Sequence, residues 1–249
     1  PNVLEPRMPL AHLRHYKRRV PDDINGFPIE SIIHTPYSEF GKLSLIEVQR
    51  GCGRGCKFCA EGFIYTPFRE RSYDLVKEQV LRGLKHRDKI GLIGADLLVY
   101  PQIVDLMNFI HEQGGTFSPS SVRVDALTDE IIDLLAKSGH KTLAIAPEAG
   151  SEELRRKTNK KFDNASILKV IEKLILAGIS NIKMYLMIGL PFEKQKDIDE
   201  LISLVDEARN VIVTHSRITK KAGNLIISIN PFIPKPRTPY QVGNFAGID

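Results

Sequence analysis

The sequence predicts an α/β fold of six parallel strand–helix units. Three observations predict it. Short β-branched apolar runs recur from Leu43 onward. Amphipathic segments with recognisable caps lie between them. Crossovers between parallel strands are right-handed, so such a sheet curls one way. Six units are too few for a closed eight-stranded barrel, which leaves an open partial barrel or a doubly wound sheet. In both, functional residues gather at the carboxyl ends of the strands.

The elements follow in order. Residues 43–48 form the first strand. Ser72 is placed to cap a helix running to about His86, with Leu75, Val76, Val80, Leu81 and Leu84 on its apolar face. Residues 90–93 form the second strand. Residues 101–112 form a helix with Pro101 in its first turn and Gly114 and Gly115 beyond its end. Residues 117–124 form the third strand, and 128–138 a helix capped by Thr128 and stopped by Gly139. The fourth strand, 142–146, leads to a charged helix at 152–158 and a longer one at 164–177 that ends at Gly178. Residues 181–188 form the fifth strand, 195–209 a helix and 225–229 the sixth strand.

The composition is that of an ordinary globular chain, 42% hydrophobic and 26% charged over 249 residues. No apolar run approaches the roughly 18 residues of a membrane span. The basic stretch from Arg14 to Arg19 does not resemble a signal peptide, so a cytoplasmic location is expected. The net charge of +5 permits an anionic partner, nucleic acid included, but a mildly basic surface accounts for it without one. Three cysteines, all within eight residues, point to a metal site in a reducing compartment rather than a disulfide framework.

That cluster, Cys52, Cys56 and Cys59, has the spacing Cys-x3-Cys-x2-Cys within the glycine-rich segment 49–60. Three thiolates leave one iron of a 4Fe–4S cluster open to a small molecule. A structural zinc site closes with four ligands, and no fourth ligand is adjacent here. The spacing, the preceding strand and the aromatic Phe58 before the last cysteine resemble the radical S-adenosylmethionine (SAM) superfamily. The resemblance implies a partial (βα)6 TIM-like barrel. It implies that Cys52, Cys56 and Cys59 bind a 4Fe–4S cluster whose open iron chelates SAM. Reduction by an outside donor such as flavodoxin or ferredoxin would then yield a 5′-deoxyadenosyl radical. Phe58 stands where that family meets the adenine.

Later strand ends extend the resemblance. Gly94, Ala95 and Asp96 stand where the family holds the methionine amino group, although a plain strand-to-helix turn fits equally well. Arg123 would reach the SAM carboxylate, or else pair with Asp125 at the surface. Glu148, in a variant of the family's Glu-Ser-Gly-Ser segment, would take the ribose or methionine end, or else cap the next helix; Lys160 would reach the carboxylate. Ile188 and Gly189 match an Ile-Gly-Leu-Pro turn near the adenine. The segment 230–241, with Phe232 and Ile233, matches a proline-rich strap seen in methylthiotransferase-like and cobalamin-linked members.

Segments 35–41 and 62–72 are similar to radical SAM proteins that carry an upstream cobalamin-binding-like domain. Residues 1–40 are accordingly expected to be an arm from such a domain, 41–242 the core barrel and 243–249 a truncated tail. Cobalamin in the full-length protein, with methyl or alkyl transfer, is the reaction this resemblance raises. A tRNA methylthiotransferase is the alternative, although a second cysteine cluster and an RNA-binding end domain are not in this sequence. A non-catalytic iron–sulfur or zinc module is the alternative from another class; it requires neither the strap nor Glu148 nor Gly189. Glu70, Tyr65 and Tyr185 are candidates for completing turnover.

Overall fold

A computed structural model describes residues 20–120 and 122–244. In chain order its elements are β1 (Ser44–Glu47), β2 (Gln49–Arg50), α1 (Glu61–Ile64), β3 (Arg69–Glu70) and α2 (Tyr73–Leu84). Next come β4 (Lys89–Ile93), α3 (Ile103–Glu112), β5 (Thr116–Pro119), α4 (Asp129–Lys137), β6 (Thr142–Glu148) and α5 (Glu152–Lys157). The chain continues through α6 (Asn164–Leu176), β7 (Asn181–Ile188), α7 (Gln195–Thr219) and β8 (Asn224–Pro231).

The strands form two parallel three-stranded sheets, ordered β1-β4-β5 and β6-β7-β8. Among the described residues a parallel bridge between Val122 and Ile145 joins them. Six strands therefore follow one another in sequence order, and the arrangement is an open partial barrel. Ile46, Ile90, Leu92, Phe117, Leu143, Ile145, Ile182 and Met184 are buried in one core cluster with the helices. The alternate positions face the barrel interior, because successive strand side chains point to opposite faces.

Several boundaries differ from those expected. The third strand ends at Pro119, which has no N–H to continue a ladder. A short 3-10 turn, Val124–Ala126, follows it. The first strand divides, and β2 pairs antiparallel with β3, a small hairpin with no periodic signal. The helix expected over 195–209 runs on to Thr219 and ends at left-handed Lys220. Ser72 occupies the cap position but makes no side-chain cap bond; its own N–H donates to Asn25 Oδ1 at 2.8 Å. Thr128 caps as expected, accepting from the Ile131 N–H. Residues 1–19 and 245–249 of the expected arm and tail lie outside the described residues.

The long helix α7 is what holds the end of β6 in place. Ser151 donates to the buried Asp197 carboxylate near its start. Gly150 lies so close to it that a Cβ would stand 2.1 Å from Leu201 Cα. Gly150→Ala must push α7 away and is expected to cost about 1–3 kcal/mol. Gly26→Ala, with open space around its Cα, should stay within about 0.5 kcal/mol of the parent. Urea unfolding of both variants measures the difference, and equal midpoints would contradict the contact.

Candidate active site

The cysteine loop leaves β2 through Gly51, whose φ of 82° and whose approach to the Tyr65 carbonyl exclude a side chain. The loop is clamped from two directions. Lys57 N–H donates to Thr158 O at 3.0 Å. Asn159 Nδ2 donates to Arg54 O and Gly55 O at 2.8 and 3.1 Å. From the strap, Tyr240 N–H donates to Lys57 O at 3.3 Å, and its hydroxyl to Lys157 O at 2.8 Å.

Cys52, Cys56 and Cys59 border one cavity of about 180 Å³ with Phe58, Ala95, Arg123, Glu148 and Lys160. Burial pushes the Cys52 thiol up, against a backbone hydrogen bond from Arg54 that lowers it. Burial also pushes Cys56 up, partly offset by the charges of Lys160 and Arg123. Arg123 Nη1 donates to Cys56 Sγ at 3.6 Å.

These cations are themselves held by acids. Arg54 pairs with the buried Asp96 and lies 3.5 Å from Asp125. Arg123 grips Asp125 through two hydrogen bonds of 2.9 Å each. Burial opposes charge on both partners, but their mutual bond outweighs it, raising the Arg123 pKa and lowering that of Asp125. The Arg123–Asp125 pair expected as one of two alternatives is present, and Arg123 still borders the cavity. Gly94 packs on Gln49, and its carbonyl accepts from Ser120 Oγ at 3.0 Å. Ala95 borders the cavity; Asp96 sits behind it, under Arg54.

Glu148 lies at the end of β6 with φ of 68°, and Ala149 N–H donates back to Pro147 O at 2.9 Å. This γ-turn is strained for a residue with a side chain. Lys160 Nζ meets Glu148 Oε1 at 2.9 Å and also donates to Ala146 O. Capping of the next helix falls to Ser151, which accepts from Leu154 N–H at 3.0 Å. Beneath the turn the fully buried Arg155 donates to Ala149 O at 2.8 Å and Gly150 O at 3.0 Å. Its burial lowers its pKa to about 10. Sequence reasoning passed over Arg155 and gave Asn159 no role; an arginine in a short charged helix and an amide just after it look solvated until their burial is seen.

The cavity adjoins a cleft of about 400 Å³ at Phe58, Ala146 and Glu148. Tyr185, Asn230, Phe232, Ile233 and Lys235 form its far side. Phe232 is buried edge-on to Tyr240, with ring centres 6.1 Å apart. Ile233 is largely exposed at the lip. Ile188 and Gly189 border neither space. Ile188 is partly exposed, and Gly189, at φ 78°, donates to the Glu193 carboxylate beside a neighbouring groove. Of Glu70, Tyr65 and Tyr185, Tyr185 lines the cleft; Tyr65 is exposed, and Glu70 lies in β3.

Among the described residues no three His, Cys, Asp or Glu side chains converge as one metal ion requires. Three thiols bordering one cavity are a donor set that an iron–sulfur cluster would take.

The family profile of the radical SAM superfamily matches residues 46–205, and the chain belongs to that superfamily. An uncharacterized protein of Methanocaldococcus jannaschii is 38% identical over 227 residues, covering 89% of this chain and 47% of that protein. The tRNA-2-methylthio-N(6)-dimethylallyladenosine synthase of Clostridium botulinum is 26% identical over 180 residues, covering 66% of this chain and 39% of the synthase. The chain thus spans less than half the length of these relatives. Among solved structures, the radical SAM methyltransferase TsrM of Kitasatospora setae, with cobalamin and a [4Fe-4S] cluster bound, superposes with a TM-score of 0.58. It is 15% identical, covering 80% of this chain and 36% of TsrM. The cobalamin-dependent radical enzyme OxsB superposes at 0.59 with 16% identity, covering 80% of this chain and 34% of OxsB. At these identities the likeness concerns the fold.

Lys160→Met strands the Glu148 carboxylate, which is 15% exposed, without its cation. A loss of about 3–5 kcal/mol is expected, most of it recovered in the double variant Lys160→Met/Glu148→Gln. Denaturant melts of the two variants check this; equal destabilisation would show that the pair is not coupled.

Proposed function

We propose that the chain is the catalytic core of an enzyme that cleaves SAM reductively to a 5′-deoxyadenosyl radical. The observation that carries the reading is one cavity bordered by all three thiols, Arg123, Glu148 and Lys160, opening onto a second cleft. Cys52, Cys56 and Cys59 are the ligands that would hold a 4Fe–4S cluster. When bound, that cluster supplies the electron that breaks the sulfonium C–S bond, drawn from a flavodoxin- or ferredoxin-like donor.

The residues around the cavity have distinct tasks in this reading. Lys160 and Arg123 attract the SAM carboxylate. Glu148, oriented by its strained turn, accepts from the ribose hydroxyls or the amino group. On the β4 side Ala95 borders the cavity, Gly94 precedes it against Gln49, and Asp96 acts through Arg54. Phe58 and Phe232 flank the adenine, and Ile233 shields it from water. Ile188 and Gly189, which border neither space, shape the turn that leaves β7.

The region 41–242 is the core barrel in this reading, flanked by segments of a longer cytoplasmic protein. No helix among the described residues is long and apolar enough to cross a membrane. The similarity of segments 35–41 and 62–72 and of the strap at 230–241 to cobalamin-linked members favours a cobalamin-linked methyl or alkyl transfer. Similarity to the methylthio synthase favours a methylthiotransferase-like reaction on RNA.

The test is anaerobic reconstitution with iron and sulfide, then dithionite and SAM. About four irons per chain and release of 5′-deoxyadenosine are expected. The Cys52→Ala/Cys56→Ala/Cys59→Ala variant should keep its circular dichroism while losing both iron and product. A colourless zinc protein that leaves SAM intact would sink the reading.

A further inference from the structure

The inner face of the open barrel carries positive charge that nothing nearby matches. On β7, Ile182 and Met184 belong to the helix-side core, so Lys183, Tyr185 and Met187 face inward. The register sets Ile226 beside Lys183, Ser228 beside Tyr185 and Asn230 beside Met187. On the other flank Ala144 pairs with Lys183. Small residues at Ala144, Ala146 and Ser228 leave room around the Tyr185 ring. The Lys183 ammonium stands 4.7 Å from the centre of that ring. Tyr185 and Lys235, the latter exposed on the strap, border one cleft, and Lys183 adjoins it through the Tyr185 ring.

The acids of this inner face are already paired. Glu47 meets Arg50 at 2.8 Å and also Arg71. Glu148 meets Lys160 at 2.9 Å. Glu61 borders the cysteine cavity rather than the Tyr185 cleft. Lys183 and Lys235 have no carboxylate partner among the described residues. An unmatched ammonium on the wall of a concave cleft, with a second, half-buried one against the ring of a lining tyrosine, concentrates anions there. Each is a point-charge donor suited to a phosphate or carboxylate oxygen.

We propose that the cleft recognises its substrate through an anionic group, a phosphate ester or a carboxylate, held by Lys183 and Lys235. The attached body packs on Tyr185 and Met187, with the Asn230 amide available for a polar contact. The inference rests on the SAM reading only in taking this cleft, next to the thiol cavity, as the substrate side.

The test is ligand-observed NMR titration of the reconstituted protein with phenyl phosphate, phenylacetate and benzyl alcohol, with and without saturating SAM. At least one anion should bind more tightly than the alcohol, and SAM should not displace it. Lys183→Met and Lys235→Met should each weaken that anion roughly tenfold and leave the alcohol unchanged. Whichever anion is favoured separates a phosphate from a carboxylate substrate. No preference for either anion over the alcohol, displacement by SAM, or unaltered anion affinity in both variants overturns the proposal. Release of 5′-deoxyadenosine by the wild type separates the two readings. Release without an anion preference sinks the anion site alone. No release, with an anion preference that both substitutions abolish, sinks the SAM reading and upholds the cation site.

Discussion

Three thiols border a partly desolvated cavity with positive charge close by, and the rest of the site is arranged around that contact. Burial raises the pKa of Cys52 and Cys56. Arg123 and Lys160 work against that rise at Cys56. Arg54 joins them on the cavity wall. Each cation is in turn held by an acid: Arg54 by Asp96, Arg123 by Asp125 and Lys160 by Glu148. Asp96 follows β4, Asp125 follows β5 and Glu148 ends β6. The network therefore ties the cysteine loop to three successive strand ends, and it can form only where parallel strands bring their carboxyl ends together.

The same arrangement explains why strain is concentrated at Glu148. An extended β6 would carry its carboxylate past the cavity; the γ-turn brings it back to Lys160. The unfavourable φ is over-determined from below by Arg155, which holds the next two carbonyls, and from behind by α7 against Gly150. The strap performs the corresponding task on the far side. Tyr240 bonds the cysteine loop and α5 while its ring packs on Phe232. The cavity wall is thus rigid where charge must be placed. The inner faces of β7 and β8 are more open, with Ser228 beside Tyr185 and with Lys183, which has no carboxylate partner among the described residues.

Much of this was legible in the chain. Apolar alternation in 181–188 and helical spacing in 164–177 recur in the structure as β7 and α6, because these segments have one face to bury and strong caps. The cysteine spacing and the proline strap were visible because their chemistry requires those residue types close together. The β2–β3 hairpin was not, since two-residue strands have no period. The extra length of α7 was missed as well. Its last turns carry Ile212, whose burial depends on packing rather than on local pattern.

The partners of the charged residues also escaped a linear reading. Asp96 and Arg54 are 42 positions apart, and Asn159 reaches Arg54 across 105. By itself the sequence determined the order of the main strands and helices, the clustering of three thiols and the family resemblance, because periodicity, capping and residue spacing are local properties of a chain. Only the tertiary structure decided which acid holds which cation, that Glu148 sits in a strained turn rather than capping a helix, and that Tyr185 and Lys235 border one cleft while Lys183 stands against the Tyr185 ring. Those outcomes depend on which strand ends become neighbours and on how much water is excluded between them, and neither is written in the order of residues.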